Sequence, residues 1–273
     1  MGGLKKMDKT IGFIGCGNMA KAMLNGLIES KLISPQKIIV SAKTKETLEE
    51  VKKNYKVNVT LDNKKVARAD YLILAVKPHM YDLILREIKE EISQECIVII
   101  IAAGISIGYI KEHLGNAALV VKAMPNTPAM VREGVTALSF DEKIDEKTKV
   151  EIISIFNSFS RTEILEEELM DGFTALCGSS PAYVYMMIEA MGDGGVLQGI
   201  PRKQAYRMAA QAVLGAAKMV LDTDIHPGEL KDNVCSPKGT TIEAVAKLEE
   251  LGFRRSIIEA MRICGEKSKE MNK

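Results

Sequence analysis

The sequence predicts an α/β fold in two parts, a doubly wound parallel sheet followed by an all-helical region. Three observations carry this. Short apolar runs alternate with amphipathic stretches through the first half, as successive βαβ units require. Two of those runs, Tyr71–Val76 and Ile97–Ala103, are apolar throughout, the pattern of strands covered on both faces. After Glu166 strand signals almost vanish and at least four helix candidates follow, so the domains are expected at 1–166 and 167–273.

In order, Ile11–Ile14 reads as a strand and Asn18–Lys31 as a helix with apolar residues at helical spacing. Ile38–Val40 is a second strand and Lys45–Asn54 a charged helix. The two apolar runs come next, then strands at Leu119–Ala123 and Val135–Phe140, a helix near Lys147–Phe159 and a last strand at Thr162–Leu165. In the second half the clearest helix is Arg202–Leu221, opened by Pro201 where a missing amide hydrogen costs nothing. Its polar residues Gln204, Arg207, Gln211 and Lys218 form one narrow stripe, and the rest of its circumference is apolar. Such a helix must be buried nearly all round. A region as small as 167–273 offers little core for that, so its helices are expected to pack against a second copy of the chain. The alternative is a helix central to its own small bundle. The charged end, Lys267–Lys273, is expected to fray.

Composition excludes several classes of function. Lys plus Arg total 37 against 36 acids, a net charge of +1, so no basic excess points to nucleic acid or an anionic membrane. Met1–Lys9 is mixed and charged, with no apolar leader segment ahead of the first strand, and Ile97–Ala103 falls far short of the ~20 residues that span a bilayer. The five cysteines are an odd number without a Cys-x-x-Cys pair, which speaks against a disulfide framework and a zinc site and for reduced thiols in a cytoplasmic protein. They read as small packing residues, and the 15 methionines as adaptable core or interface.

The chemistry-bearing signal is Gly15-Cys16-Gly17-Asn18-Met19-Ala20, where the first strand runs through Gly-x-Gly-x-x-Ala into a helix. Gly15 permits the tight turn, Gly17 lets backbone approach a pyrophosphate, and the helix start supplies amide hydrogens and partial positive charge. This Rossmann-type element predicts a dinucleotide. At the end of the second strand, Ser41-Ala42-Lys43-Thr44-Lys45 holds no acid before Glu46. Ser41, Lys43 and Thr44 suit an adenosine 2′-phosphate, which a carboxylate there would repel, so NADPH is expected with NADH as a poorer substitute. The plainer role of Thr44 is a cap on the next helix, and both roles are compatible.

Beyond the glycine turn, the chain resembles pyrroline-5-carboxylate reductases nearly end to end. The resemblance is carried by Leu74–Pro78, Ala102-Ala103-Gly104, Met124–Pro128 with Val131–Gly134, Gly178–Tyr183, Asp193-Gly194-Gly195, Gln211–Leu221, His226-Pro227-Gly228 and Lys231–Ile242. It implies reduction of the cyclic imine 1-pyrroline-5-carboxylate to L-proline, the last step of proline biosynthesis, by a homodimer or ring of dimers. It implies that the cofactor lies on Ile14, Gly15, Cys16, Gly17, Asn18 and Met19, with Asn63 on its adenosine side. Ala75, Val76, Lys77, Pro78, Ala102, Ala103 and Asn126 would line it, and Asn233 would reach it from the helical domain. The spacing between Asn63 and Asp70 is one residue shorter than usual in the family. The substrate carboxylate would meet Ser236, Gly239, Thr240 and Thr241, with the Thr241 hydroxyl on the ring nitrogen as the catalytic group. Glu167 matches a carboxylate that approaches the ligand; otherwise it is one of three solvated acids at 166–168. Two positions depart from the family pattern: Lys238, where a second glycine is common, and Ser180, where glycine or alanine is common.

The residues support that chemistry independently. A ketone substrate normally demands a strong general acid, yet His79, His113 and His226 all read as surface or helix-end residues. A cyclic imine can be protonated before it reacts and needs only orientation and neutralisation. The loop Ser236–Thr241 opens a helix whose free amides suit a carboxylate, and Thr240 with Glu243 reads as a capping box. A hydroxyacid dehydrogenase of similar architecture would need a lysine within Ala182–Met191, and none is there. A non-catalytic descendant would have no reason to keep both the glycine turn and the Thr240-Thr241 pair.

Overall fold

The computed structural model describes Met7 to Met271, so the reading of the first six residues and of Asn272 and Lys273 lies outside the described residues. Eight strands form one sheet in the order β3-β2-β1-β4-β5-β6-β7-β8. They are β1 (Ile11–Ile14), β2 (Ile38–Ser41), β3 (Asn58–Thr60), β4 (Tyr71–Leu74), β5 (Ile97–Ile100), β6 (Leu119–Pro125), β7 (Gly134–Phe140) and β8 (Ser160–Ile164). All neighbours are parallel except β6 and β7, where the chain reverses through a tight 3-10 turn at Thr127–Val131 and meets itself with Val121 opposite Phe140. The strand β3 was not legible in the sequence. It is three residues long, pairs only with β2 and is at best half-buried, so no apolar run marks it.

Alternate residues of the central strands serve two cores. Ile11, Phe13, Ile73, Ile99 and Val121 face α1 (Asn18–Glu29) and α6 (Glu146–Asn157). Leu72, Leu74, Val98, Ile100 and Val120 face α4 (Tyr81–Ile88) and α5 (Ile107–Leu114). Both side-chain sets are dry, which is why these strands read as continuous apolar runs rather than alternating ones. The runs at Tyr71–Val76 and Ile97–Ala103 outlast their strands by two and three residues. The surplus forms the loops at the carboxyl rim of the sheet, where Ala75, Val76, Ile101, Ala102 and Ala103 pack against the cores instead of pairing with a neighbouring strand. The remaining helices of this half are α2 (Lys45–Tyr55), capped by Thr44, and the single-turn α3 (Asn63–Val66).

The chain divides into two compact units, one running to Gly178 and including Cys264 onward, the other Ser179–Ile263. The first unit closes with α7 (Met170–Phe173) and a π-helical turn, Thr174–Gly178. Met170 and Phe173 join Met124 and Ala137 in a third small core. The last helix, α12 (Phe253–Glu270), does not fray at Lys267–Glu270 as its charge suggests. Ser268 is buried and donates to Asp171 at 2.6 Å, and the Met271 carbonyl lies where a Cβ on Gly104 would come within 2.5 Å. One buried hydroxyl and one close backbone approach outweigh the charged surface of this turn.

The second unit holds α8 (Ser180–Leu197), α9 (Arg202–Thr223), α10 (Pro227–Asn233), α11 (Thr240–Glu250) and the first part of α12. α8 crosses α9 closely at Gly192, where a Cβ would sit 2.3 Å from the Tyr206 ring. Within one chain only Ala205 and Ala209 of α9 are buried, while Met208, Leu214, Met219 and Leu221 are about half exposed or more. The apolar circumference read from the sequence is therefore real and largely bare in a single chain. Among the described residues no helix is long and apolar enough to cross a membrane.

The close contact between α1 and the turn joining α6 to β8 tests this packing. A Cβ on Gly26 of α1 would lie 2.4 Å from the Phe159 Cβ and 2.9 Å from the Ser158 carbonyl. Gly26→Ala gains about 1 kcal/mol of helix propensity but overpacks a backbone contact at a cost of about 1–3 kcal/mol. The net expectation is a lower melting temperature by thermal unfolding, not the rise that Gly→Ala gives in an open helix.

Candidate active site

The strand order reverses between β1 and β4, and in open α/β sheets ligands settle outside the carboxyl ends of strands at that point. The glycine turn occupies it. Gly15 has φ of +91°, and a Cβ there would lie 2.6 Å from the Ala75 carbonyl and 2.7 Å from Val76 Cγ1. Its amide donates to the Ser41 carbonyl at 3.0 Å, and the Ala75 amide donates to the Ile14 carbonyl at 2.8 Å. Ile14, Gly15, Ser41 and Ala75 thus come together at one point of the rim.

Gly17 behaves differently. Its φ of −79° is open to any residue, and a Cβ there would meet nothing within 4 Å. Folding does not require glycine at 17, so the reason for it lies in what approaches from outside. Gly17 is also the N-cap of α1, no side chain satisfies the first-turn amides, and no acid lies in that turn. Uncapped amides at the positive end of a helix, with open space before them, fit a pyrophosphate. Cys16 is buried, and burial pushes its thiol up to about 11, so at neutral pH it stays protonated as a packing group rather than a nucleophile.

At the end of β2, Ser41 is buried and its hydroxyl donates to Asn63 Oδ1 at 2.7 Å. Asn63 Nδ2 donates in turn to Glu87 at 2.9 Å. Asn63 starts α3, between β3 and β4. Lys43 and Thr44 are exposed, and the Thr44 hydroxyl accepts from the Thr47 amide at 3.3 Å as the cap of α2. Val76, Lys77 and Pro78 follow β4, and Ala102 and Ala103 follow β5, all on the same rim. Asn126 is buried at 7% exposure, between its Oδ1, which accepts from the Val135 amide at 2.9 Å, and its Nδ2, which donates to the Cys177 carbonyl at 3.0 Å. It ties β6, β7 and the π-helical turn together.

Glu167 is not a solvated acid. Its Oε1 accepts from the Ile107 amide at 2.9 Å and from Lys122 Nζ at 3.2 Å. The Lys122 side chain, only 7% exposed, was not singled out from the sequence, although a lysine inside the apolar stretch Leu119–Ala123 was a visible signal.

In the second unit, α11 begins one residue earlier than the capping-box reading requires. Its N-cap is Gly239, Thr240 is the first helical residue, and no side chain caps the helix. The capping box is corrected to an open start whose amides lack a side-chain acceptor, because Ser236 fills the inner face of the turn. A Cβ on Gly239 would be 2.3 Å from Ser236 Oγ, and the Gly239 amide donates to the Ser236 carbonyl at 3.0 Å. Thr241 is half-buried, Thr240 and Ser236 are exposed, and Asn233 ends α10 at the surface. Lys238 sits at φ of +58°, the left-handed region in which glycine is unstrained. Ser180 opens α8 beside Pro181. Of the histidines, His226 caps α10 by accepting from the Gly228 amide at 3.0 Å, His113 stands in the last turn of α5, and His79 is exposed.

A nucleotide-binding rim at the switch point, with a helical second half, defines a dinucleotide-dependent oxidoreductase. Residues 10–104 match the family described as NADP oxidoreductase, coenzyme F420-dependent, and residues 167–271 match pyrroline-5-carboxylate reductase dimerisation. The chain is 45% identical to the Escherichia coli pyrroline-5-carboxylate reductase, covering 98% of this chain and 100% of that one. It is 40% identical to the Methanosarcina acetivorans enzyme over 97% and 99% of the two chains. A solved pyrroline-5-carboxylate reductase from Coxiella burnetii superposes with a TM-score of 0.92 at 34% identity, over 98% and 100% of the chains. One from Plasmodium falciparum with NADP bound gives 0.88 at 31%, over 98% and 100%. The chain belongs to the pyrroline-5-carboxylate reductase family.

Two substitutions separate fold from binding. Gly17→Ala is expected to leave the melting temperature of the free protein unchanged while weakening NADPH at least about tenfold, read by fluorescence titration. Lys238→Gly removes a left-handed lysine worth about 1 kcal/mol of strain, and the expected outcome is an unchanged or slightly raised melting temperature.

Proposed function

We infer that this chain reduces 1-pyrroline-5-carboxylate to L-proline with NADPH, accepting NADH less well. The single observation that carries the reading is full-length identity of 40–45% to named pyrroline-5-carboxylate reductases, on a chain whose glycine turn leaves open space at Gly17. NADPH, when bound, supplies a hydride from its nicotinamide ring.

The chain's own residues do the rest. Gly15–Met19 hold the pyrophosphate through the uncapped start of α1, and Lys43 and Thr44 present a cation and a hydroxyl to the 2′-phosphate. Ser41 and Asn63 brace each other beneath that subsite. Ala75–Pro78, Ala102 and Ala103 wall the rim, Asn126 stands where its nicotinamide end belongs, and Asn233 reaches it from the helical part. The open start of α11 cradles the substrate carboxylate with the amides of Thr240 and Thr241, beside Ser236 and Gly239. A charge-assisted amide contact of this kind is worth about twice a neutral one. The Thr241 hydroxyl bonds the ring nitrogen and holds its proton in place, as a protonated imine needs. Glu167 approaches the ligand from the sheet side.

Residues 167–273 act as the dimerisation and substrate-binding domain and 1–166 as the dinucleotide domain. The bare apolar face of α9 supports assembly into a homodimer or a ring of dimers, since exposed apolar surface of this extent marks an interface. The five free cysteines and the absence of a long apolar helix among the described residues support a cytoplasmic location.

Loss of NADPH absorbance with 1-pyrroline-5-carboxylate, and not with 2-keto acids, is the direct test. Thr241→Ala is expected to lower kcat by about 10²-fold, the size of a positioned proton-holding group, with NADPH affinity unchanged. If kcat and cofactor affinity fall together, the assignment of Thr241 is wrong.

A further inference from the structure

Lys122 is a charge inside a strand that otherwise buries apolar residues on both sides, with Val120, Val121 and Ala123 as neighbours. Burying an ammonium is costly, and an apolar residue of similar volume would pack β6 as well. The register places it opposite Ile100, the last residue of β5, so it lies beside the point where β5 gives way to the loop 101–106. Its Nζ meets Glu167, whose same oxygen accepts the amide of Ile107, the first residue of α5. Ser106, the N-cap of α5, takes the Tyr109 amide at 2.9 Å, so Glu167 holds a second orphan amide and places negative charge at the positive end of the helix.

The loop between these anchors is short and crowded. Ala103 packs against the small core of Met124, Met170 and Phe173, and Gly104 lies under the Met271 carbonyl at φ of +76°. Its two ends are therefore set by β5 and by the Glu167 contact at Ile107. Resting on the reading of Ala102 and Ala103 as cofactor-lining residues, we propose that Lys122 is a positioning residue for the reaction: through Glu167 it sets the loop 101–107 against the cofactor without touching it. Glu167 acts in the same device, by holding Ile107.

The test uses the full-length protein and NADPH itself. Lys122→Met, Lys122→Arg, Glu167→Gln and the double variant Lys122→Met with Glu167→Gln are compared by circular dichroism, thermal melting and fluorescence titration with NADPH. Folded Lys122→Met is expected to weaken NADPH about tenfold, the scale of a small misplacement at a binding loop, with kcat at saturating cofactor within about twofold of wild type. Lys122→Arg, which keeps the charge, should restore affinity to within about twofold of wild type. The double variant should be no weaker than Lys122→Met alone, as expected of residues acting as one unit. Unchanged NADPH affinity in folded Lys122→Met, or effects that multiply in the double variant, would overturn the proposal. If Lys122→Met does not fold, Glu167→Gln decides alone: weaker NADPH supports the device and unchanged binding overturns it. A wild-type protein that binds no NADPH would sink the functional reading first, and that result is distinguishable from equal binding by all variants.

Discussion

The structure depends on one close approach, the Gly15 turn lying against the start of the loop after β4. At that point the strand order reverses, and the main chains of β1, β2 and β4 are tied by the Gly15 and Ala75 amides. A side chain at 15 would drive into the Ala75 carbonyl, so the turn stays tight only if that position is bare. Because it is tight, α1 begins at the rim instead of beyond it, and its amides point at the crevice. Gly15 therefore serves the fold and Gly17 serves whatever occupies the space in front. The two glycines of one motif answer to different constraints, a distinction visible only once the space around each is measured.

The same separation explains what was legible in the sequence. Every strand buried on two faces was marked by an apolar run, and the glycine turn between β1 and α1 by its residue spacing. Two helices that do bury apolar residues, α4 and α5, also went unnamed from the sequence, and the other elements that escaped notice lacked that driving force. β3 is an edge strand of Asn58, Val59 and Thr60 with little to bury, and α3 is a single turn. The end of α12 looked like a solvated tail because its residues are charged, yet it is fixed by the Ser268 hydroxyl and the Met271 carbonyl. Hydropathy cannot register a backbone carbonyl, and so it missed the contact that matters there.

The site was legible in its motifs and not in its braces. Residue types at fixed spacing named the rim and the loop before α11. They did not reveal that Ser41 leans on Asn63, that Asn126 clamps two other segments, or that Glu167 holds a helix start. Such roles depend on residues distant in the chain, for example Lys122 and Glu167, which 45 positions separate. The capping-box reading failed for a related reason. Thr240 and Glu243 have the right spacing, but the loop fold set by Ser236 and Gly239 moves the helix start by one residue and leaves the amides open. A capped helix would have spent those amides on its own side chain.

That open start bears on how the two halves divide the work. The sheet half is dry on both faces, which suits a cofactor held by backbone geometry. The helical half is bare along α9 in a single chain, so its order depends on burial that a second copy can provide. The loop 236–241 lies between α10 and α11 of that half, and on the proposed reading its amides would bind a carboxylate well only if those helices are held still. On the proposed reading, substrate recognition is thereby tied to assembly more closely than cofactor recognition, to which the helical half contributes Asn233 alone. A protein of this design would lose its grip on an imine carboxylate when the helical half is unpaired, while its nucleotide rim stayed intact.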